Sequence, residues 1–514
     1  MTMENISAPA IGILQSLRSP GQLIEFLGLF SQNATLLAGV IILLSGIRYF
    51  LGFSKQDRFY LRNDAGKHIT VLPQDTRTLR FSNGADISAQ GNALAGDEPY
   101  MIINADHNDL VLVTPEHLRE FMAKDGKDHT KPHGGGLGDY AWRLLGRCVG
   151  QQSGEKWKTM RSHFDPEFSH QKAVQAEPVF HKHIQEWMGS LTITQTTSTF
   201  VLDALTICRA VSFRLLAIMS YGEVMNEETF ERLNDLTNLH RHIMGTLVFN
   251  TRVMSKLYNL FPTKQMRQLD TFNRLWKQFN LDVIHRARKE GLDCPVERIF
   301  AGVEQGDMDL QEFLQSLDEM LYTNIDITGL VVACLLAKIA ANPEVQARLR
   351  TEISAEKKAR GFSASTYATK QETLLNYVTL EAIRLNPALH FSPASCTAED
   401  KTIGGYRIPA KTTCVADCWR INTHRGSWGA DAETFRPERF ANLPPASYRF
   451  SFIRWGVGSN RCMGKNMAEL LLKMTAMEVL ERYELRVPAA KMEAVEDQDT
   501  ITNKLQGGIE FVRL

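Results

Sequence analysis

The residue whose surroundings most invite chemistry is Cys462, in the run Trp455-Gly-Val-Gly-Ser-Asn-Arg-Cys-Met-Gly. It closes a glycine-rich loop and directly precedes an expected helix over about Lys465 to Tyr483. That placement aims backbone N–H groups and the positive end of a helix dipole at the sulfur, and both favour thiolate. A thiolate suits an iron porphyrin as an electron-donating ligand. The loop alone leaves a buried, inert cysteine equally open. A second constellation is Glu381 and Arg384, three apart in Thr379-Leu-Glu-Ala-Ile-Arg-Leu-Asn-Pro, so they share a helix face. Glu-x-x-Arg by itself arises by chance in a chain this long. Arg439, in Phe435-Arg-Pro-Glu-Arg-Phe, can join it as a buried charge triad that fixes geometry more than it stabilises.

These groups need a large scaffold, and 514 residues supply one. Hydrophobic residues are 44% and charged residues 23%, the values of a packed globular protein. Lys and Arg total 58 and Asp and Glu 58, which argues against a nucleic-acid binder. Eight cysteines at this length are no disulfide framework, so a reducing compartment is expected.

Residues Ala34 to Phe53 carry Arg48 as their one charge and are long enough to span a bilayer. The expected organisation is a lumenal segment over 1–33, an anchor over 34–53 and a cytosolic catalytic domain over 54–514. Arg48, Lys55 and Arg58 on one side against Arg18 on the other make the positive-inside rule lean only one way. Residues 54–115 have poor periodicity, with two short strands at Met101-Ile-Ile-Asn and Leu110-Val-Leu-Val. His133-Gly-Gly-Gly-Leu-Gly reads as a flexible loop and lacks the Lys-Ser/Thr of a phosphate cradle. From 155 to 390 apolar residues recur at helical spacing. One helix is delimited by a capping box, Asp309 with Glu312, and by Asn342-Pro343. Its centre, Gly329 to Leu336, is apolar nearly all round, so it should cross the middle of the fold. After 390 short strands and turns are expected, Gly404-Gly-Tyr-Arg-Ile-Pro among them.

Other patterns carry less. Cys414-x-x-x-Cys418 has no second Cys/His pair to complete a zinc site. His129 and His133 are expected to be solvated rather than ligands. Asn5-Ile-Ser and Asn33-Ala-Thr match the glycosylation sequon, the second too near the membrane to trust.

The ordered set of Trp157-x-x-x-Arg161, the long helix with Asp326, Glu381-x-x-Arg384, Phe435-x-Pro-Glu-Arg-Phe440 and the Cys462 loop resembles a cytochrome P-450 over about residues 100–514. The resemblance implies a mainly α fold with small β-sheets, here preceded by one N-terminal transmembrane helix. It also implies haem b with Cys462 as axial ligand. Trp157, Arg161, Arg461, Gly458 and Gly464 would be the cofactor-binding residues, Trp157 and Arg161 on the helix that contacts a haem propionate, and Glu381, Arg384 and Arg439 would form the structural triad.

Several positions depart from the family pattern. Trp455 stands where Phe is usual. Asn460 stands where a propionate-binding Arg or His is common, and Arg461 next door should point elsewhere. The Pro-rich hinge after the anchor is missing. In Thr323-Asn-Ile-Asp-Ile-Thr328, Ile327 occupies the position of the hydroxyl thought to deliver protons to oxygen, and Asn324 replaces a small Gly. At about 100° per residue, Thr323 lies about 40° from Ile327, Asn324 about 60° and Thr328 about 100°. Thr323 and Asn324, with a water, are therefore better substitutes than Thr328, unless the helix groove itself satisfies them. Asp326 is the acid expected to feed the proton path.

The expected function is a membrane-anchored haem-thiolate monooxygenase at the endoplasmic reticulum. It would draw electrons from NADPH–cytochrome P-450 reductase and use a small organic substrate, with no nucleic-acid partner. Similarity to fungal secondary-metabolism members, notably of gliotoxin-type pathways, points to a diketopiperazine. Ile327 keeps open a haem-thiolate isomerase or dehydratase, or an oxidative cyclase that inserts no oxygen. A non-catalytic helical membrane protein is the other rival.

Overall fold

The computed structural model describes residues 39–46, 61–75, 79–103, 108–194, 198–458, 460–489 and 508–514. Two compact units partition the chain, Met1–Tyr60 and Leu61–Leu514. In the first, 39–46 are helical, with Ile41, Ile42, Leu43 and Leu44 exposed. The rest of the expected anchor, the segment 1–33 and both sequons lie outside the described residues.

The second unit is mainly helical with three small sheets. Its helices that bear on the site are α1 (Gly84–Ala95), α2 (Pro115–Met122), α3 (Gly138–Leu145), α4 (Gly154–Phe164), α5 (Ala204–Tyr221), α6 (Glu227–Phe249), α7 (Lys264–Glu290), α8 (Leu310–Ala340), α9 (Leu374–Leu385) and α10 (Lys465–Arg482). α8 begins at the expected capping box: Glu312 N–H donates to Asp309 Oδ1 at 2.9 Å, and Asp309 N–H donates to Glu312 Oε2 at 2.8 Å. These bonds satisfy two of the N–H groups a helix start leaves open. Every residue from Gly329 to Leu336 is buried, as an all-round apolar centre requires. Gly329 lets α5 come close, since a Cβ there would sit 3.0 Å from Arg209 Cα.

The largest sheet has five strands in the order Thr70–Asp75, Tyr100–Ile103, Asn108–Leu112, Thr413–Ala416, Ser395–Cys396. Asn108–Leu112 and Thr413–Ala416 run parallel, so the sheet joins segments about 300 residues apart in the chain. Lys401–Ile403 and Tyr406–Ile408 form a hairpin across the Gly404-Gly turn. Thr199–Asp203, Gly508–Arg513 and Tyr483–Arg486 form the third sheet in that order.

Three expectations are corrected. The glycine run at His133 is a short 3-10 turn, with Gly134 and Gly135 at φ 57° and 64°, and α3 starts at Gly138. His133 stacks on Trp142 at 4.6 Å. His129 is buried, not solvated: its Nε2 lies 3.1 Å from Asp125 Oδ1, which ties it to the Ala398–Lys401 segment. The poorly periodic stretch contains α1, whose buried positions are Gly84, Ile87, Ser88 and Gly91. A stripe of small residues gives no apolar period to read. Cys414 and Cys418 are buried, and no group of metal ligands forms among the described residues.

Candidate active site

All eight cysteines are described, and Cys462 alone is exposed. Its N–H donates to Trp455 O at 2.9 Å, closing the loop on itself. Gly456 and Gly458 make that closure possible, because both adopt positive φ, 78° and 76°. A Cβ at Gly458 would also stand 2.5 Å from Met122 Cε of α2. Trp455 is held by its indole N–H, which donates to Glu469 Oε1 of α10 at 3.0 Å. Gly464 immediately precedes α10.

Backbone N–H groups of Gly464 and Lys465 and the Arg161 guanidinium all favour thiolate at Cys462, as the helix start predicts. Packing around the sulfur is the larger effect, and with the Glu319 carboxyl it pushes the thiol up. The expectation that the helix start alone would depress it is thus corrected: desolvation outweighs two backbone donors. A bound metal cation reverses that balance, since coordination deprotonates a thiol outright.

α4 places Trp157 and Arg161 one turn apart on one face. Arg161 lies over the Trp157 ring at 5.3 Å, donates from Nη1 to Arg461 O at 3.1 Å and from Nε to Asp165 Oδ1 at 2.6 Å. The Arg461 side chain itself is exposed. α4 and the cysteine loop therefore meet through a carbonyl that only the folded loop presents.

The triad forms at the far end of the site's support. Arg384 pairs with Glu381 through two bonds, Nε to Oε2 at 2.7 Å and Nη2 to Oε1 at 2.8 Å. Arg439 Nε donates to Glu381 Oε1 at 2.8 Å. The remaining donors of both arginines go to carbonyls of Asn422, Ala432, Trp428, Asp431 and Thr434. All three side chains are buried, and their arrangement ties α9 to the segment that leads into the cysteine loop.

A model of the cytochrome P-450 family matches residues 98–510. The chain belongs to the cytochrome P-450 family. It is 44% identical over 458 residues to the cytochrome P-450 monooxygenase lepD of Aspergillus flavus, covering 88% of this chain and 89% of that protein. It is 39% identical to the monooxygenase apdB of Emericella nidulans, over 83% and 87% of the two chains. It is 35% identical to the monooxygenase opdB of Penicillium oxalicum, over 95% and 98%. The enzyme is thus a cytochrome P-450 monooxygenase, and the family uses haem held by a cysteine thiolate. Such enzymes need a redox partner and a small-molecule substrate. The residues around Cys462 fit that cofactor: a cysteine that is exposed where the other seven are buried, N–H donors aimed at its sulfur, glycines where side chains would intrude, and a cation on α4.

In the central helix of this cytochrome P-450 the groove takes up the two side chains that the helical angles put near Ile327. Thr323 donates its hydroxyl to Glu319 O, and Asn324 Nδ2 donates to Glu319 O at 2.9 Å and Met320 O at 3.1 Å. Both donors are engaged in the helix groove. Thr328, half-buried, makes no side-chain hydrogen bond among the described residues. Asp326 is paired with Arg209 of α5 at 2.8 Å, a partner no local spacing could reveal. A cavity of about 30 Å³ lies between α6 and α8, lined by Thr237, His240, Arg241, Tyr322, Thr323 and Asp326 among others. A larger cleft, about 1090 Å³, is lined by α1 and by Pro387, Trp419 and Arg425, and shares no residue with the cysteine loop.

The pairing changes what Asp326 can do. With Arg209 Nε 2.8 Å from Asp326 Oδ1, Asp326→Asn breaks an ion pair as well as removing a proton acceptor. We expect product formed per NADPH consumed to fall several-fold in Asp326→Asn, and turnover to fall on the order of 100-fold. Arg209→Gln should lower the same ratio less. Thr323→Val should leave it nearly unchanged, because that hydroxyl serves the helix. A large loss in Thr323→Val would restore the threonine to the proton path.

Proposed function

We propose that this chain is a membrane-anchored monooxygenase in which Cys462 is the axial ligand of haem b, oxidising a fungal secondary metabolite of the diketopiperazine class. The observation that carries the ligand assignment is Cys462 itself, the one exposed cysteine, with the Arg161 guanidinium acting on its sulfur and N–H donors at the start of α10. When bound, the haem supplies reductive activation of oxygen at an electron-rich iron. The protein's part is positional: Trp157 and Arg161 orient the cofactor's edge, Gly458 and Gly464 hold the loop, and the triad fixes its approach. Asp326 with Arg209 holds a charge beside the small cavity between α6 and α8, which at about 30 Å³ has room for about one water. The helical 39–46, with exposed Ile41–Leu44, supports an anchor over 34–53 in the endoplasmic reticulum membrane. The electron donor is then NADPH–cytochrome P-450 reductase at the same surface.

Purified enzyme should be screened for substrate-induced spin shifts against diketopiperazines and other metabolite classes, and hits incubated with reductase, NADPH and ¹⁸O₂. One labelled oxygen in the product is the expected result. Product formed without oxygen or NADPH would instead support an isomerase or dehydratase, the reading that Ile327 and the engaged Thr323 and Asn324 favour. Oxygen-dependent product without label would support an oxidative cyclase.

A further inference from the structure

The cleft of about 1090 Å³ shares no residue with the cysteine loop or with the small cavity beside Asp326. One wall is the first turns of α1, where Gly84, Ala85, Ser88 and Ala89 present little bulk. Gly84 brings that wall against the segment after α9, since a Cβ there would stand 2.6 Å from His390 Cβ. Leu330 and Cys334 of α8, with Leu385 and Pro387, make part of the lining apolar. The half-buried rings of Phe81 and Trp419 extend it.

The cationic part of the lining is Arg420, with His390 and His424 beside it. Arg420 belongs to the short helix Cys418–Asn422 and is 8% exposed. Its Nη2 donates to Gly96 O at 2.8 Å and to Asp97 Oδ1 at 2.9 Å. Its buried Nη1 has no hydrogen-bond partner among the described residues. His390 is also 8% exposed, and its Nε2 makes no hydrogen bond, with Asp417 Oδ1 3.6 Å away. His424 Nδ1 is unpartnered as well. Native proteins leave few such atoms, and each costs free energy until something bonds it. Burial lowers His390 and raises Asp417, so both lean towards the neutral form. At the rim, Glu433 faces Arg425 at 4.0 Å, and both are exposed. Arg420 is thus the buried charge of the lining, and Asp97, three-quarters exposed, offsets it only weakly. A ligand carboxylate would complete Nη1 with a charge-assisted bond.

We propose that this cleft is a second ligand site, apart from the haem, for an aromatic carboxylic acid. Its carboxylate rests on Arg420 and its ring on the apolar lining.

The test is calorimetric titration of the holoenzyme with 4-phenylimidazole already on the haem iron, so that the haem pocket is filled. 2-Naphthoate should bind saturably, one molecule per chain, without displacing the imidazole from the visible spectrum. 2-Naphthalenemethanol, the same ring without the charge, should bind roughly tenfold more weakly, the value of one hydrogen bond to a charged group. Arg420→Gln should cost naphthoate roughly the same factor and leave the alcohol unchanged. Ala85→Trp and Ala89→Trp, at exposed positions of α1, should fill the cleft and abolish binding of both probes with haem content at the parent level. The proposal fails if naphthoate gives no saturable heat, or if it binds no better than the alcohol. It fails if naphthoate displaces the imidazole, since the acid would then occupy the haem pocket. It fails too if the tryptophan variants bind as the parent does. Should Arg420→Gln not fold for want of the bonds to Gly96 and Asp97, the tryptophan variants and the parent's naphthoate-to-alcohol ratio decide.

Discussion

The Cys462→Ser protein is expected to lose the red-shifted Soret band of its reduced carbon monoxide complex completely, with turnover falling below detection. Only thiolate gives the iron the electron density behind that band. No other cysteine can take over. Burial drives the remaining seven thiols up, Cys294 to about 11 and Cys334 to about 12, and none is exposed. Cys148→Ser is the matching control: it is buried beside Glu319 and should keep the band. A retained band in Cys462→Ser would remove the axial assignment, and with it the role given to the loop glycines.

Glu381→Gln should be nearly as damaging, by a different route. The substitution keeps the shape but removes the charge shared by Arg384 and Arg439, which are buried within reach of the same carboxylate. Breaking a buried ion pair by removing one partner costs about 3–5 kcal/mol. That is a large share of a native stability of about 5–15 kcal/mol. The expected outcome is low recovery of haem-loaded protein and a melting temperature several degrees lower. Arg384→Lys should rescue little, because an ammonium cannot reproduce two parallel bonds to Glu381 and the carbonyls of Asn422 and Ala432. Normal melting and haem content in Glu381→Gln would show that carbonyl contacts alone hold the segment.

Much of this architecture was legible in residue order because its rules are local. The start of α8 follows from Asp309 and Glu312, its central position from an apolar run with no polar face, and the end of the preceding path from Asn342-Pro343. Glu381 and Arg384 meet because residues three apart on a helix must. The cysteine loop closes where glycines at 456 and 458 permit positive φ. Motif order brought Arg439 to that pair, whereas the bond from Arg161 to the Arg461 carbonyl is set by the folded loop.

What residue order could not fix is every contact made between segments distant in the chain. Helical angles put Thr323 near Ile327, yet whether its hydroxyl faces oxygen or bonds a carbonyl depends on competition within the helix groove, and the groove prevails. Arg209 reaches Asp326 because Gly329 lets α5 approach α8, a packing event with no periodic signature. The Cys462 thiol was expected low from its helix start and is raised by packing around it. His129 is buried by Asp125 and the 398–401 segment, and Lys131 meets Ser395 across 264 residues. Spacing determines neighbours along one element. Burial, ion-pair partners and thiol basicity are set by what the fold brings from elsewhere, because desolvation and Coulomb energy depend on distance through space and not along the chain.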